Sequence, residues 1–131
     1  FNRPFYRIIS ASTNEGLCLK DTLNGDYFSA DFGTCANRND MYKYRLQPHM
    51  DGRSFIILRS DSNKTYCLDH TLSNDNTNCD IKDKSVNWTV RTERGGLYQI
   101  TNIESNEVLS ANRGLNTARN NNSLGQYWRF E

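Results

Sequence analysis

The chain has 131 residues, the size of one domain with one core, and with 36% hydrophobic residues and a mean hydropathy of −0.81 that core must be small. A net charge of +1 gives no electrostatic basis for binding nucleic acid or an anionic membrane. The longest apolar run, 55–58, is far short of the ~20 residues that span a bilayer, so no membrane insertion is expected. No charged-then-apolar leader opens the sequence, which reads either as a cytosolic protein or, the favoured expectation, as a mature form after cleavage.

Arg3-Pro4 leads into an alternating run, Phe5-Tyr6-Arg7-Ile8-Ile9-Ser10, that predicts a first strand. The polar segment 12–16 ends in Gly16 and predicts a turn into Gly16-Leu17-Cys18-Leu19-Lys20. Asn24-Gly25 suits a two-residue type I′ turn and joins this second strand to a third, Tyr27 to Phe32. A polar stretch, 36–40, precedes a fourth, Tyr42-Lys43-Tyr44-Arg45-Leu46, and Pro48 and Gly52 close the unit. The plan then recurs. Phe55-Ile56-Ile57-Leu58, Thr65-Tyr66-Cys67-Leu68-Asp69 and Val86-Asn87-Trp88-Thr89-Val90 form a second unit, with a shorter excursion over 71–78. Arg94-Gly95-Gly96 separates it from a third, built from Leu97 to Asn102, Glu107 to Ala111 and the closing run through Gln126-Tyr127-Trp128-Arg129-Phe130. Asn112-Arg113-Gly114 supplies its turn. No stretch of ten residues has helical apolar periodicity, so the fold class is all-β.

The aromatics at 44, 88 and 128 lie 44 and then 40 residues apart, the mark of a repeat architecture. The units run about 1–52, 53–95 and 96–131 within a single domain, and none can bury its apolar face alone. Tyr44, Trp88, Trp128, Ile8, Leu58 and Ile100 are expected to share one core.

The four cysteines follow the repeat. Cys18 and Cys67 hold one matched place and Cys35 and Cys79 another, each of the latter nine residues before its unit's aromatic. Unit three carries Leu109 and Arg119 there, so both cysteines are lost together, as a bonded pair predicts. Repeat symmetry therefore favours Cys18–Cys35 and Cys67–Cys79 among the three possible pairings, in an oxidising compartment. With no CxxC and no Cys/His cluster, no metal site and no cofactor are expected. His49 and His70 stand in no metal-binding or catalytic motif, and no phosphate-binding glycine loop is present, so the chain does not read as an enzyme. Acceptor sequons occur at Asn63, Asn87 and Asn121; Asn87, beside Trp88 in a predicted strand, is a poor place for a glycan.

Three units of four short strands, the Gln-X-Trp at 126–128, the aromatics at 44 and 88 and the in-repeat cysteines resemble the β-trefoil of the ricin-B-like (R-type) lectins. The resemblance covers 5–130, with the Gln-X-Trp pattern eroded in the first two units. It implies sugar sites made of an Asp two residues after the first Cys, an aromatic two before the second, and an Asn-Gln before X-Trp. Unit one has Lys20 and Gly33 at the first two places, with Asp21 and Phe32 beside them and Asn39 nearby. Unit two keeps Asp69, next to His70, with Thr77 in place of the aromatic. Unit three keeps Gln126 but has Ala111 for the Asp. The resemblance thus implies Asp21, Phe32, Asn39, Asp69 and His70 as candidate sugar contacts, with Trp88 and Trp128 in the core.

The expected function is a secreted lectin-like module that binds glycans or a glycosylated cell-surface receptor, working through an oligomer or a larger toxin-like assembly. The alternative is a trefoil that contacts protein instead, as a receptor-binding toxin subunit, host-interaction protein or protease inhibitor, through Tyr27, Phe28 and Phe32. Peptide mapping without reduction tests the repeat alignment: Cys18–Cys35 and Cys67–Cys79 crosslinks are expected, and a Cys18–Cys67 crosslink would overturn it.

Overall fold

The computed structural model describes residues 3–13, 16–21, 28–33, 43–49, 53–59, 66–72, 79 and 82–131, with backbone alone at 16–21, 28–29, 32 and 59. Among these residues are ten strands: β1 (Ile8–Ser10), β2 (Gly16–Asp21), β3 (Phe28–Gly33), β4 (Tyr44–Pro48), β5 (Ser54–Arg59), β6 (Asn87–Arg94), β7 (Leu97–Asn102), β8 (Val108–Ser110), β9 (Asn116–Ala118) and β10 (Trp128–Phe130). The only helical turns among them are two short 3-10 turns, Lys84–Val86 and Leu124–Gln126.

Six strands form a barrel in the order β1-β10-β7-β6-β5-β4, every neighbour pair antiparallel. The ring closes where Tyr6 and Tyr44 exchange two backbone hydrogen bonds of 2.8 Å. First strands (β1, β5, β7) therefore alternate with fourth strands (β4, β6, β10) around the ring. Each first strand also pairs outward with the chain that follows it, at Ile9–Gly16, Leu58–Cys67 and Thr101–Val108. β2–β3 and β8–β9 form the hairpins of units one and three; the expected Asn24-Gly25 turn and the third strand of unit two lie outside the described residues. β6 passes into β7 through Gly95-Gly96, whose φ of 41° and 87° meets the two positive dihedrals of a tight hairpin turn.

The core repeats with the strands. Each fourth-strand aromatic sits between two first strands: Trp88 between Phe55 and Asn102, Trp128 between Tyr98 and Ser10, Tyr44 between Tyr6 and Arg59. All three aromatics are fully buried, together with Ile8, Ile57 and Ile100. The Trp88 indole N–H donates to the Leu68 carbonyl at 3.1 Å, and that of Trp128 to the Leu109 carbonyl at 3.0 Å. This equivalence matches Leu68 with Leu109, so the place of Cys67 in unit three belongs to Val108, one residue before the expected Leu109.

The expected core has one further correction. Ile57, not Leu58, joins Ile8 and Ile100. Strand side chains alternate, and the neighbours Ile56 and Leu58 pack on the opposite face with Cys67, Val86 and Cys79 in a second, smaller cluster. The run 55–58 is apolar at every position because both faces of β5 are covered.

The Cys67–Cys79 disulfide forms as expected, its Cα atoms 5.9 Å apart. Spanning 12 residues, it contributes about 3 kcal/mol by restricting the unfolded chain. Cys18–Cys35 lies outside the residues whose side chains are described.

Units two and three are clamped by Asn102, which is fully buried. Its Nδ2 donates to the Ser85 carbonyl at 3.0 Å, and its Oδ1 accepts from the backbone N–H groups of Glu104 and Ser105 at 3.0 and 3.1 Å. Alongside it, the Ile103 N–H donates to the Asn87 carbonyl at 3.0 Å. Asn87 itself is buried and donates its Nδ2 to the Asp83 carbonyl at 2.7 Å, so the sequon there is closed in the folded state.

Two substitutions test these joints by denaturant unfolding. Trp128→Phe removes the indole N–H together with part of the ring, leaving the buried Leu109 carbonyl without its donor, and should cost about 1–3 kcal/mol. Asn102→Ala strands one carbonyl and two N–H groups, and should cost about 2–4 kcal/mol while raising amide exchange over 103–106. Stability within 0.5 kcal/mol of wild type in either variant would contradict the assigned bonds.

Candidate functional site

Asp69 ends the short segment that carries Cys67 and Leu68, and its carboxylate is engaged locally. Oδ1 accepts from the Thr71 N–H at 2.9 Å and the Thr71 hydroxyl at 2.6 Å. The Asp69 carbonyl accepts from the Leu72 N–H at 2.9 Å. This turn holds Leu72 at φ 66°, a dihedral that a branched side chain rarely adopts, and Leu72 is buried in the main core. Its carbonyl then accepts from the Ala30 N–H at 2.8 Å, tying unit two to β3 of unit one. Asp69 therefore shapes the turn, whatever its outer oxygen contacts.

His70 is exposed beside it, its Nδ1 3.6 Å from the Glu104 carboxylate. Asp83 faces the same junction. Its carboxyl is held below the usual value by the Ser85 hydroxyl and backbone N–H, with a smaller contribution from His70. The Ser85 donors lie at 2.6 and 3.0 Å. His70 thus sits where the edges of units two and three bring acidic side chains together.

For unit one, the β2–β3 register sets Asp21 opposite Phe28 and Phe32 opposite Leu17. The backbones of Asp21 and Phe32 are thus four residues of strand apart, about 13 Å. Their side chains, and Asn39 altogether, lie outside the described residues.

Gln126 has a different place from the strand expected for it. It closes the 3-10 turn Leu124–Gln126 and is fully buried, with Nε2 donating to the Arg119 carbonyl at 2.8 Å and Oε1 accepting from the Asn121 N–H at 2.9 Å. Both ends of its amide pin the 119–121 loop. Gly125 beside it packs so tightly on the Asn112 side chain that a Cβ would fall on Oδ1.

The feature sequence reading missed is a groove of about 390 Å³ on the outer wall of the β6–β7 ribbon. β6 lines it with Thr89 and Arg91, and β7 with Gln99 and Thr101, the residues paired across from them. Ile103 and Asn106 border it from the next turn, and Asn120 from the loop after β9. The Gln99 Nε2 donates to Asn120 Oδ1 at 3.0 Å, fixing that wall. Alternation in the two strands does signal these residues as outward-facing. It does not show that the 103–106 turn and the 119–121 loop rise on either side to make a concavity.

Among the described residues no three His, Cys, Asp or Glu side chains are grouped to hold a metal ion, and no helix is long and apolar enough to cross a membrane.

No protein-family model matches the sequence, and no curated protein matches it. Solved structures do. The designed three-fold symmetric protein ThreeFoil matches with a TM-score of 0.79 at 12% identity, over 98% of this chain and 98% of its own. Cry35Ab1 matches with a TM-score of 0.81 at 18% identity, over 100% of this chain and 36% of its own. The Polyporus squamosus lectin bound to a human-type influenza-binding epitope matches with a TM-score of 0.78 at 14% identity, over 99% of this chain and 49% of its own. The chain thus spans about a third of Cry35Ab1 and half of the lectin. The likeness, with the closed ring of alternating first and fourth strands, establishes the fold: the chain is a β-trefoil.

Proposed function

We propose that this chain is a carbohydrate-binding module that recognises cell-surface or environmental glycans and catalyses no reaction. The groove on the β6–β7 wall carries the reading. Its hydroxyl, amide and guanidinium groups surround a space in the lower part of the roughly 300–1,000 Å³ range of small-molecule sites. Such a lining suits a polyhydroxyl ligand better than an apolar one. The shared fold of a glycan-bound lectin supports the same reading. The Cys67–Cys79 disulfide, which persists in oxidising compartments, supports a secreted location. Asp21, Phe32, Asn39, Asp69 and His70 remain candidate contacts for further sugar sites. Sites that offer few hydrogen bonds and little burial would bind a sugar with millimolar to high-micromolar affinity, and useful avidity would come from several sites or an oligomer.

A glycan array probed with folded, multivalently displayed protein tests this. Selective glycan binding is expected; none at all would refute the reading and return the chain to the protein-contact class. Any hit should then be titrated against Asp21→Ala and Asp69→Asn. The second change keeps an acceptor for Thr71, so lost binding would report charge rather than a collapsed turn.

A further inference from the structure

We propose that the β6–β7 groove takes a sugar bearing a carboxylate, a hexuronic acid, with Arg91 as its anion partner. The inference rests on the glycan-binding reading and adds the ligand's charge. Of the described residues lining the groove, Arg91 alone is charged, and none of them is a carboxylate. Its guanidinium is exposed and forms no hydrogen bond or ion pair among the described residues. Among the described lining residues the Asn102, Gln99 and Asn120 amide oxygens are engaged, which leaves the Thr89 and Thr101 hydroxyls and the Asn106 amide, all neutral, as acceptors. The Asn102 amide is spent on the unit junction, and the Gln99 and Asn120 amides face each other. Donors are in surplus, since a guanidinium alone offers five N–H groups.

A neutral sugar is usually gripped by a protein carboxylate that accepts from its hydroxyls, and this groove has none to give. A ligand that brings its own carboxylate supplies the missing acceptor. The planar guanidinium fork matches it bidentately. The exposed Ile103 side chain bordering the groove offers an apolar contact for the C–H face of the ring.

Titration of the ¹⁵N-labelled protein at low salt with methyl β-D-glucuronide and, in parallel, methyl β-D-glucoside tests this. The glucuronide should shift the amides of Gln99, Asn106 and Asn120 and bind up to about fivefold more tightly, the gain an exposed ion pair supplies. Added salt should reduce that preference, and Arg91→Gln should abolish it while leaving the rest of the spectrum in place. Equal affinities, shifts mapping elsewhere, or a preference that survives Arg91→Gln would overturn the proposal. Neutral-glycan binding on the array without glucuronide preference would refute the charge inference alone. A blank array would refute both readings.

Discussion

The structure depends on an aromatic side chain in each fourth strand, placed between two first strands and filling the barrel. In units two and three this side chain is a tryptophan, and its indole N–H reaches a main-chain carbonyl earlier in the same unit, at Leu68 and Leu109. Each bond joins the barrel to the segment paired outside its unit's first strand, through a group that would otherwise be a buried, unsatisfied acceptor. Because the ring is closed, no barrel strand is left with a bare edge, and a chain only 36% hydrophobic needs little more than these aromatics and the Ile8, Ile57, Ile100 layer to hold it. Unit one has Tyr44 in this place. It is equally buried, and its own backbone makes the bonds that close the ring with Tyr6.

The fold was legible because it is written three times. The 44- and 40-residue spacings place the aromatics, and the joint absence of two cysteines from unit three marks Cys67 and Cys79 as partners. Misreadings arise where local sequence has no contrast. In 55–58 every residue is apolar, so alternation cannot say which face turns inward, and the sequence points to Leu58 where Ile57 fills the core. Gln126 follows the rhythm of a strand, yet its amide is drawn to Arg119 and Asn121 and the backbone winds into a 3-10 turn.

The candidate site was legible only in part, for a related reason. A motif places residues relative to chain neighbours, and Asp69 and His70 fall where the repeat puts them. What surrounds them does not follow from the motif. Glu104 and Asp83 come from other segments, and Thr71 occupies one Asp69 oxygen. The groove is still less visible in sequence. Thr89, Arg91, Gln99 and Thr101 are ordinary outward residues of a two-stranded ribbon until the turns of unit three at 103–106 and 119–121 are set beside them. Scaffold and surface are thus separated by parity: in β6, Trp88 and Val90 pack inward against the core while Thr89 and Arg91 line the groove.

The pairing of β1 with β10 makes the path of the chain circular in space. Arg7 and Glu131 exchange backbone hydrogen bonds of 2.6 and 2.9 Å, so residues near the two ends of the sequence lie side by side on the ring. The exposed Gly95-Gly96 turn sits at an equivalent crossing between units. A short linker from 131 to the first strand, with the backbone opened between those glycines, would preserve the strand pairings and both indole bonds. Unit three would then come first in the permuted order, its groove still built on the same ribbon. Such rearranged chains would separate what the ring geometry requires from what the order of synthesis contributes.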